Sequence, residues 1–362
     1  MNILSYFSKM KDPRVERTKY HKLEDIVFIA IASVLSGAET WNDMEDYGIQ
    51  KQEWLKTILE LPDGIPSHDT FNRFFSALDP NEFEQCFLSW VKDICVQSEG
   101  EIISIDGKTM CGSRASSCKS ATHIVSAWAD INQLILGQIK VDNKSNEITA
   151  IPKLLDVLLL KGSIVTIDAM GCQKEIAKKI IEREADYILA VKENQADLLD
   201  DIQDSFRILP YNVYEDIDYG HGRIETRTCC VITDLSLVEK SEKWKGLSSI
   251  VSIKRHRYFK ATGKEEYETS YYISSLQNAE TIAKGIRKHW GIENKVHWVL
   301  DVAFNEDNSR KRNENAAQNY SCLNRIALNL LKKDITVKRG IKGKRLNAAW
   351  NNKYLMLLLK NI

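Results

Sequence analysis

Two aspartates each follow a short apolar run in this 362-residue chain. Asp106 comes after Ile-Ile-Ser-Ile, and Asp168 comes after Ile-Val-Thr-Ile. A short apolar run bounded by small or turn residues is typical of a buried strand. Each aspartate alone is also a common turn or cap residue, but two carboxylates at the ends of neighbouring strands can share a metal ion. They are therefore the first candidates for a catalytic site.

Further along the chain, ligand-type side chains recur every fourth residue, a spacing that puts them on one helical face. They are His289, Glu293, His297 and Asp301. An apolar stripe lies roughly 90° round the same helix, at about 100° per residue. It consists of Ile292, Val296, Val299 and Ala303. The helix can therefore pack through the stripe while Glu293 faces a site.

Asp106, Asp168 and Glu293 together supply hard oxygen ligands. Such a set suits two Mg²⁺ ions bridged by a phosphate, with Mn²⁺ as a substitute, and it serves phosphoryl transfer. A competing interpretation makes His289, Glu293 and His297 a zinc site, since imidazoles and a carboxylate at this spacing can bind that ion. That interpretation leaves the two aspartates without a role. Helix packing or surface polarity alone is a third interpretation.

The elements that would position these residues follow the order βββαβαβ between residues 102 and 191. Runs at 102–105, 124–129, 134–141, 164–167 and 187–191 predict strands, and runs at 151–160 and 174–184 predict helices. This order permits a sheet arranged 3-2-1-4-5, in which the first and fourth strands are neighbours. The carboxyl ends that carry Asp106 and Asp168 would then lie side by side.

Different patterns flank this unit. Residues 1–98 predict a helical domain, in which plain helical packing is favoured over a DNA-reading helix-turn-helix because the segment is acidic. A β-rich insertion is predicted at about 205–275 within a catalytic domain of residues 99–335. Helices are predicted at 279–304 and about 314–332, and a basic tail at 336–362.

Charge is distributed unevenly although the formal net charge is zero. Residues 240–362 hold 25 basic and 11 acidic side chains, a field that attracts a polyanion. A solvated basic tail is the alternative. No run of eighteen apolar residues and no signal-peptide pattern occurs, so we expect a cytoplasmic protein with no membrane partner. The eight cysteines lack a Cys-x-x-Cys spacing and are expected to be reduced.

Longer motifs carry a resemblance to a known family. They are Ile-Asp-Gly-Lys-Thr at 105–109, Thr-Ile-Asp-Ala-Met-Gly-Cys-Gln-Lys at 166–174, the run from His289 to Asp307, Asp-Pro-Arg at 12–14, and the run from Leu61 to Phe71. Together they resemble the H-repeat-associated family of bacterial insertion-sequence transposases, over nearly the whole length.

The resemblance implies an α/β fold: an RNase H-like mixed five-stranded sheet with flanking helices, the β-rich insertion and a helical N-terminal domain. It implies a DDE triad at Asp106, Asp168 and Glu293, and metal-dependent cleavage and strand transfer at terminal inverted repeats. It also implies a homodimer acting on double-stranded DNA, associated with the bacterial nucleoid. A catalytically silent DNA-binding relative and a nuclease without strand joining are the alternatives.

Residues expected to contact DNA lie near the predicted site and in the basic region. They are Lys108, Lys192, Asn194, Gln195, Arg223, His289, Trp290, His297, Arg310, Lys311 and Arg312, with His221 and Arg227 as further candidates in the insertion and Lys338, Arg339, Lys342, Lys344 and Arg345 in the tail. A surface role explains Lys108 equally well. Trp290 is a candidate to stack on an unpaired base, against a role in the core.

Overall fold

One mixed sheet of nine strands runs through the computed structural model, which describes residues 3–114, 121–142, 145–220 and 222–360. Its order is β3-β2-β1-β4-β5-β9-β8-β7-β6. The strands are β1 (Ile102–Met110), β2 (Thr122–Ala129), β3 (Leu134–Lys140), β4 (Ile164–Ile167), β5 (Asp186–Val191), β6 (Asn212–Gly220), β7 (Arg223–Ile232), β8 (Ser249–Phe259) and β9 (Glu265–Ser274). The first five strands have the predicted order 3-2-1-4-5.

The register between β1 and β4 places the two aspartates side by side. These strands are parallel, and their last paired residues are Ile105 and Ile167. Asp106 and Asp168 are the next residues of each strand, as the sequence predicted. One detail differs from the prediction, because β1 does not end at Asp106. It continues to Met110 by pairing with β2 alone.

The β-rich insertion extends the same sheet. Its four strands form an antiparallel meander, and β9 pairs with β5 from Ile188–Ser274 to Val191–Tyr271. The segment is therefore rich in β-strand, as the sequence analysis expected. The five-stranded sheet expected from the sequence therefore becomes a nine-stranded one, because the edge of β5 is covered by β9 and is not left open.

Helices cover the sheet and form the two ends of the chain. They are α1 (Leu4–Phe7), α2 (Leu23–Leu35), α3 (Trp41–Gln50), α4 (Gln52–Leu55), α5 (His68–Ala77), α6 (Pro80–Ile94), α7 (Glu147–Val157), α8 (Lys174–Glu182), α9 (Ala196–Ile208), α10 (Ala279–Ile292), α11 (Trp298–Phe304), α12 (Ala316–Lys333), α13 (Ile341–Trp350) and α14 (Asn352–Lys360). Helix α9 is an addition to the predicted elements. Within the described residues, no helix is long and apolar enough to cross a membrane.

The N-terminal helices bury their apolar faces against the rest of the chain. Ser67 caps α5 by accepting a hydrogen bond from the Thr70 backbone N–H, as its residue type predicts. Phe71, Phe74 and Phe75 on α5 are fully buried. Helix α12, buried over nearly its whole length, packs against α2, α5, α6 and β3. The helical segment and the sheet therefore share one continuous core.

The helix predicted at 279–304 is present but has a wide turn in its middle. Helices α10 and α11 are joined without a break by a π-helical turn, Glu293–His297. Helix α10 lies close against the sheet at Gly285, where an added Cβ would come within 2.5 Å of the Ile188 side chain. A π turn is rare and occurs most often at functional sites. Here it begins at the residue predicted to be catalytic.

The last part of the chain is folded, contrary to the predicted basic tail. Residues 341–360 form α13 and α14, which pack against α2 and α12. Lys344 donates to the backbone oxygens of Leu331 and Asp334, and Arg345 donates to the Val34 oxygen at 3.0 Å. Both side chains are buried. They stabilise the fold and cannot hold phosphates, whereas Lys338, Arg339 and Lys342 are exposed.

Candidate active site

Three carboxylates line one cavity of about 630 Å³ at the carboxyl ends of β1 and β4. Asp106 and Asp168 follow the paired ends of β1 and β4. Glu293 is the first residue of the π turn between α10 and α11, and it lines the same cavity. Asp168 is held in place because its carboxylate accepts hydrogen bonds from the backbone N–H groups of Met170 and Gly171 at 3.1 and 3.4 Å. The structure therefore brings together the three residues that the sequence singled out.

The carboxylates repel one another. Burial, reinforced by the charges of Asp168, Glu147 and Glu293, raises the pKa of Asp106 to about 7. Burial and the charge of Glu147 also raise the pKa of Asp168. Partly buried carboxylates whose pKa is raised by burial and by neighbouring negative charges are stabilised by a cation placed beside them. This mutual repulsion, together with an all-oxygen carboxylate set, fits a site for divalent ions such as Mg²⁺.

His297 lies between two of the carboxylates. Its Nδ1 is 3.1 Å from a Glu293 oxygen and 3.5 Å from an Asp106 oxygen. Atoms of these three residues lie within 4.8 Å of one another, close enough to surround one ion. The side chain of His297 is 4% exposed, so it cannot contact DNA as the sequence analysis expected. Burial, assisted by the charges of Arg325 and Lys108, lowers the pKa of His297 to about 3, which leaves the ring neutral.

His289 does not join this cluster. Its Nδ1 is hydrogen-bonded to the Thr166 hydroxyl at 2.9 Å, and burial lowers its pKa to about 4. It lines the cavity behind the carboxylates. The zinc site proposed for His289, Glu293 and His297 is thus corrected, because the ligand atoms that lie close enough to surround one ion belong to Asp106, Glu293 and His297, and His289 is not among them.

Lys108, Asn194 and Gln195 hold neighbouring segments of the site in place. Lys108 is 2.7 Å from an Asp301 oxygen and only 9% exposed, so it ties β1 to α11 and is not free to steer a phosphate. The side-chain amides of Asn194 and Gln195 donate to the backbone oxygens of Ala169 and Cys172 at 2.7 and 2.9 Å. These bonds fix the loop that follows Asp168.

Lys192 and Trp290 are the predicted DNA contacts that stay accessible at the cavity. Both are exposed, Trp290 to 58% of its surface, and both line the cavity with the carboxylates. Trp290 also borders a neighbouring cavity of about 400 Å³ between α10 and β6–β8. Arg223 and Arg227 line that second cavity and pair with Glu225. His221 lies outside the described residues.

The basic residues at 310–312 divide between surface and core. Arg310 and Arg312 are exposed. Lys311 is buried, its Nζ donates to the Glu39 backbone oxygen at 2.6 Å, and it lies 3.5 Å from the centre of the Tyr320 ring. Burial lowers its pKa to about 7. The predicted phosphate contact of Lys311 is corrected for this reason, and the residue instead joins α12 to the N-terminal helices.

Glu147 and His123 adjoin the site although no sequence motif pointed to them. Glu147 begins α7, and its carboxylate lies 2.6 Å from Nε2 of His123. Both side chains lie close to Gly107, where an added Cβ would be 2.1 Å from Oε1 of Glu147 and 2.5 Å from Nε2 of His123. One sequence signal could have brought Glu147 into view: Asn146 is a residue type that often caps the start of a helix. A helix that begins after Asn146 starts four residues before the predicted start at residue 151.

Comparison with known proteins identifies the family of the chain. Residues 97–330 match the family described as the transposase DDE domain, and residues 4–91 match the DDE_Tnp_1-associated family. The chain belongs to the DDE transposases. It is 40% identical to the H repeat-associated putative transposase YhhI of Escherichia coli strain K12, across 99% of this chain and 97% of that protein. It is 41% identical to the putative transposase YncI of Escherichia coli O157:H7, across 98% and 93%.

Among solved structures, the DDE transposase chain is similar to the piggyBac transposase in a synaptic complex with hairpin DNA. The TM-score is 0.46 at 13% identity, over 98% of this chain and 77% of that chain. The family match and the sheet order confirm the expected α/β fold of the RNase H-like class, with a large mixed sheet and flanking helices.

Proposed function

We propose that this transposase cuts double-stranded DNA at the terminal inverted repeats of its own mobile element and joins the freed end to a target. Asp106, Asp168 and Glu293 would hold two Mg²⁺ ions, for which Mn²⁺ can substitute. The observation that carries the proposal is the convergence of these three carboxylates in one cavity, where the charges of Asp168 and Glu293 add to burial in raising the pKa of Asp106.

The bound ions would activate water or a DNA 3′-hydroxyl and stabilise the leaving oxygen of an in-line displacement. The chain supplies the geometry. Asp168 is fixed by two backbone N–H groups, Asp106 is set by the sheet register, and Glu293 is held by the π turn. Glu293 is 53% exposed, so it is the ligand with the most freedom to adjust as DNA enters.

DNA would approach from the open side of the cavity. Lys192 and Trp290 lie at its mouth, where a cation can meet a phosphate and an exposed indole can stack on an unpaired base. Arg223, Arg310 and Arg312 extend the basic surface outward and would make binding strongly dependent on salt. We further propose that the protein acts at the bacterial nucleoid as a homodimer on paired ends.

The test is cleavage of a labelled duplex that carries the sequences flanking the gene. Wild type and Glu293→Gln are compared in Mg²⁺ and in EDTA, and joining to a second duplex is scored separately. We expect cuts at the element boundary that disappear with Glu293→Gln or EDTA, followed by joined products. Cutting by a variant that lacks all three carboxylates would refute the assignment of the triad.

Two other outcomes point to different functions. One relative, 39% identical over 20% of this chain, carries the name inactive transposase YbfQ. Binding of the ends without metal-dependent cutting would favour a catalytically silent DNA-binding protein here as well. Hydrolysis without joined products would favour a nuclease.

A further inference from the structure

A second polar cleft lies apart from the carboxylates, between the N-terminal helices and the segment that follows α11. Its volume is about 530 Å³, and it shares no lining residue with the cavity of Asp106, Asp168 and Glu293. One wall is the start of α3 with part of α5, and the other is the segment of residues 305–313. We call it the 305–313 cleft.

The segment of residues 305–313 is fixed next to the end of β1. An added Cβ at Gly112 would lie 2.7 Å from the backbone oxygen of Ser309, so the two backbones are in close contact. Arg312 donates through Nε to the Gly112 oxygen at 3.0 Å. Gly112 is six residues beyond Asp106, a length of chain that spans at most about 20 Å. One DNA duplex can bridge that distance, which equals about six base pairs.

The lining of the cleft is polar and carries little negative charge. Five asparagines contribute to it: Asn42, Asn72, Asn305, Asn308 and Asn313. Arg310 and Arg312 are exposed there, and Glu39 is the one acidic residue among the lining residues. The Glu39 carboxylate already accepts a hydrogen bond from the Asn305 amide at 3.0 Å. The cleft therefore offers hydrogen-bond donors and positive charge to an anion.

Several polar groups of the cleft have no partner within the described part of the chain. The side-chain amides of Asn42 and Asn313 are exposed and form no hydrogen bond there. The buried Oγ of Ser309, a residue only 9% exposed, has no partner either. Asn42 is the second residue of α3, and the first N–H groups of a helix attract anions. A buried polar atom without a partner and a helix start in one cleft together indicate a ligand from outside the chain.

We propose that the 305–313 cleft binds phosphates of the DNA backbone and so anchors the duplex beside the active site. Asparagine, serine and arginine side chains and helix N-termini are groups with which proteins contact DNA phosphates. Arg310 supplies the charge, and Asn42 and Asn313 supply amide donors. Lys311 remains buried and bonded to the Glu39 backbone. That the anion is DNA rests on the proposed function. The N-terminal helical segment, although acidic, takes part in binding through this wall.

The first test adds a negative charge to the cleft of the full-length protein. Binding of the end duplex and of a scrambled duplex is measured by fluorescence anisotropy in EDTA. Asn42→Asp should weaken both by about tenfold at low salt and by less at high salt, because the new charge repels phosphates. An acidic residue in the first turn favours a helix, so thermal melting should show no loss of stability.

Asn81→Asp is the matched control, because Asn81 is also exposed and is also the second residue of its helix, α6. It should leave affinity within about twofold, since it adds the same charge away from the cleft. Equal losses in the two variants would show an effect of overall charge and overturn the proposal. A loss confined to the end duplex would indicate base contacts and overturn the assignment to phosphates.

The second test locates the phosphates by replacing them one at a time with uncharged methylphosphonate. Replacements within about one helical turn of the cut should weaken binding to wild type but not to Arg310→Ala. That variant should also lower the slope of log affinity against log salt by about one. Arg207→Ala, at an exposed arginine on α9, should keep the wild-type profile. Identical profiles for wild type and Arg310→Ala would overturn the proposal.

The outcomes separate this cleft from the proposed function. If Asn42→Asp and Arg310→Ala weaken binding as expected but wild type never cuts DNA in Mg²⁺, the proposed function alone is refuted. If wild type cuts at the element ends and both variants bind those ends as tightly as wild type, the cleft alone is refuted.

Discussion

Replacing Asp106 by Asn should stabilise the metal-free protein at alkaline pH. Asp106 is 26% exposed, and burial with the charges of Asp168, Glu147 and Glu293 raises its pKa from 3.8 to about 7. A carboxylic acid whose pKa is higher in the folded state binds its proton more tightly there than in the unfolded chain. Stability therefore falls as pH rises from about 4 to about 7. Asn carries no charge, so the stability of the variant does not fall in this way as pH rises.

The size of the effect follows from the two pKa values. One pKa unit corresponds to about 1.4 kcal/mol, so the change from 3.8 to about 7 sets a ceiling of about 4 kcal/mol at pH 8. Because water screens a carboxylate that is partly exposed, we expect about 2–4 kcal/mol. The gain should shrink by about half at pH 5.5, where the folded wild type is already protonated at this site.

The assay is thermal or urea unfolding in EDTA at pH 8 and at pH 5.5. The control is Asp200→Asn, at an exposed aspartate on α9. Mg²⁺ should stabilise wild type at pH 8 and stabilise Asp106→Asn much less, because the ion relieves the same repulsion that the substitution removes. An Asp106→Asn protein no more stable than wild type at pH 8, or a gain that is equal at both pH values, would refute the electrostatic reasoning.

Three further substitutions test the surroundings of the site. Gly107→Ala puts a Cβ within 2.1 Å of a Glu147 carboxylate oxygen. In urea unfolding, this variant should have a free energy of unfolding about 1–3 kcal/mol lower than wild type. Gly220→Ala is the control and should lower the free energy of unfolding less, because an added Cβ there meets nothing within 4 Å. Trp290→Ala should weaken binding of end DNA by about 1–3 kcal/mol, measured by fluorescence anisotropy. The control is Trp298→Ala, because Trp298 is as exposed as Trp290. Equal losses of DNA affinity in the two variants would argue against stacking at the cavity. Lys311→Met should leave DNA affinity unchanged but lower stability by about 0.5–1.5 kcal/mol, because the Glu39 oxygen loses one of two donors and keeps the Tyr320 hydroxyl. Weaker DNA binding by the folded variant would restore Lys311 as a phosphate contact.

The catalytic sheet could be predicted because local patterns determine it. The apolar runs before Asp106 and Asp168 are short, and the order of elements between them allows few sheet arrangements. The position of Glu293 followed from the apolar stripe on the other side of its helix. In each case a residue's neighbours in sequence decide which way it faces.

The pairing of the insertion and the fate of the basic residues could not be predicted in this way. The addition of β9 to β5 joins segments far apart in the chain, and neither strand's own pattern names its partner. Lys311 and Arg345 have the charge of DNA-binding residues, but each meets backbone oxygens supplied by the N-terminal helices and their connections. Charge alone does not distinguish a surface cation from a buried donor, because burial depends on tertiary contacts.

The wide turn at Glu293 explains why four residues at one spacing have four different partners. In a regular α-helix, residues four apart are separated by about 400°, so each successive one is displaced by about 40°. Bonds from i to i+5 place more residues in a turn, which reduces that displacement. The π turn thus keeps His297 beside Glu293, while His289 before it meets Thr166 and Asp301 after it meets Lys108. The fourfold spacing therefore orders the site around Glu293, with the other three side chains anchoring the helix that carries it.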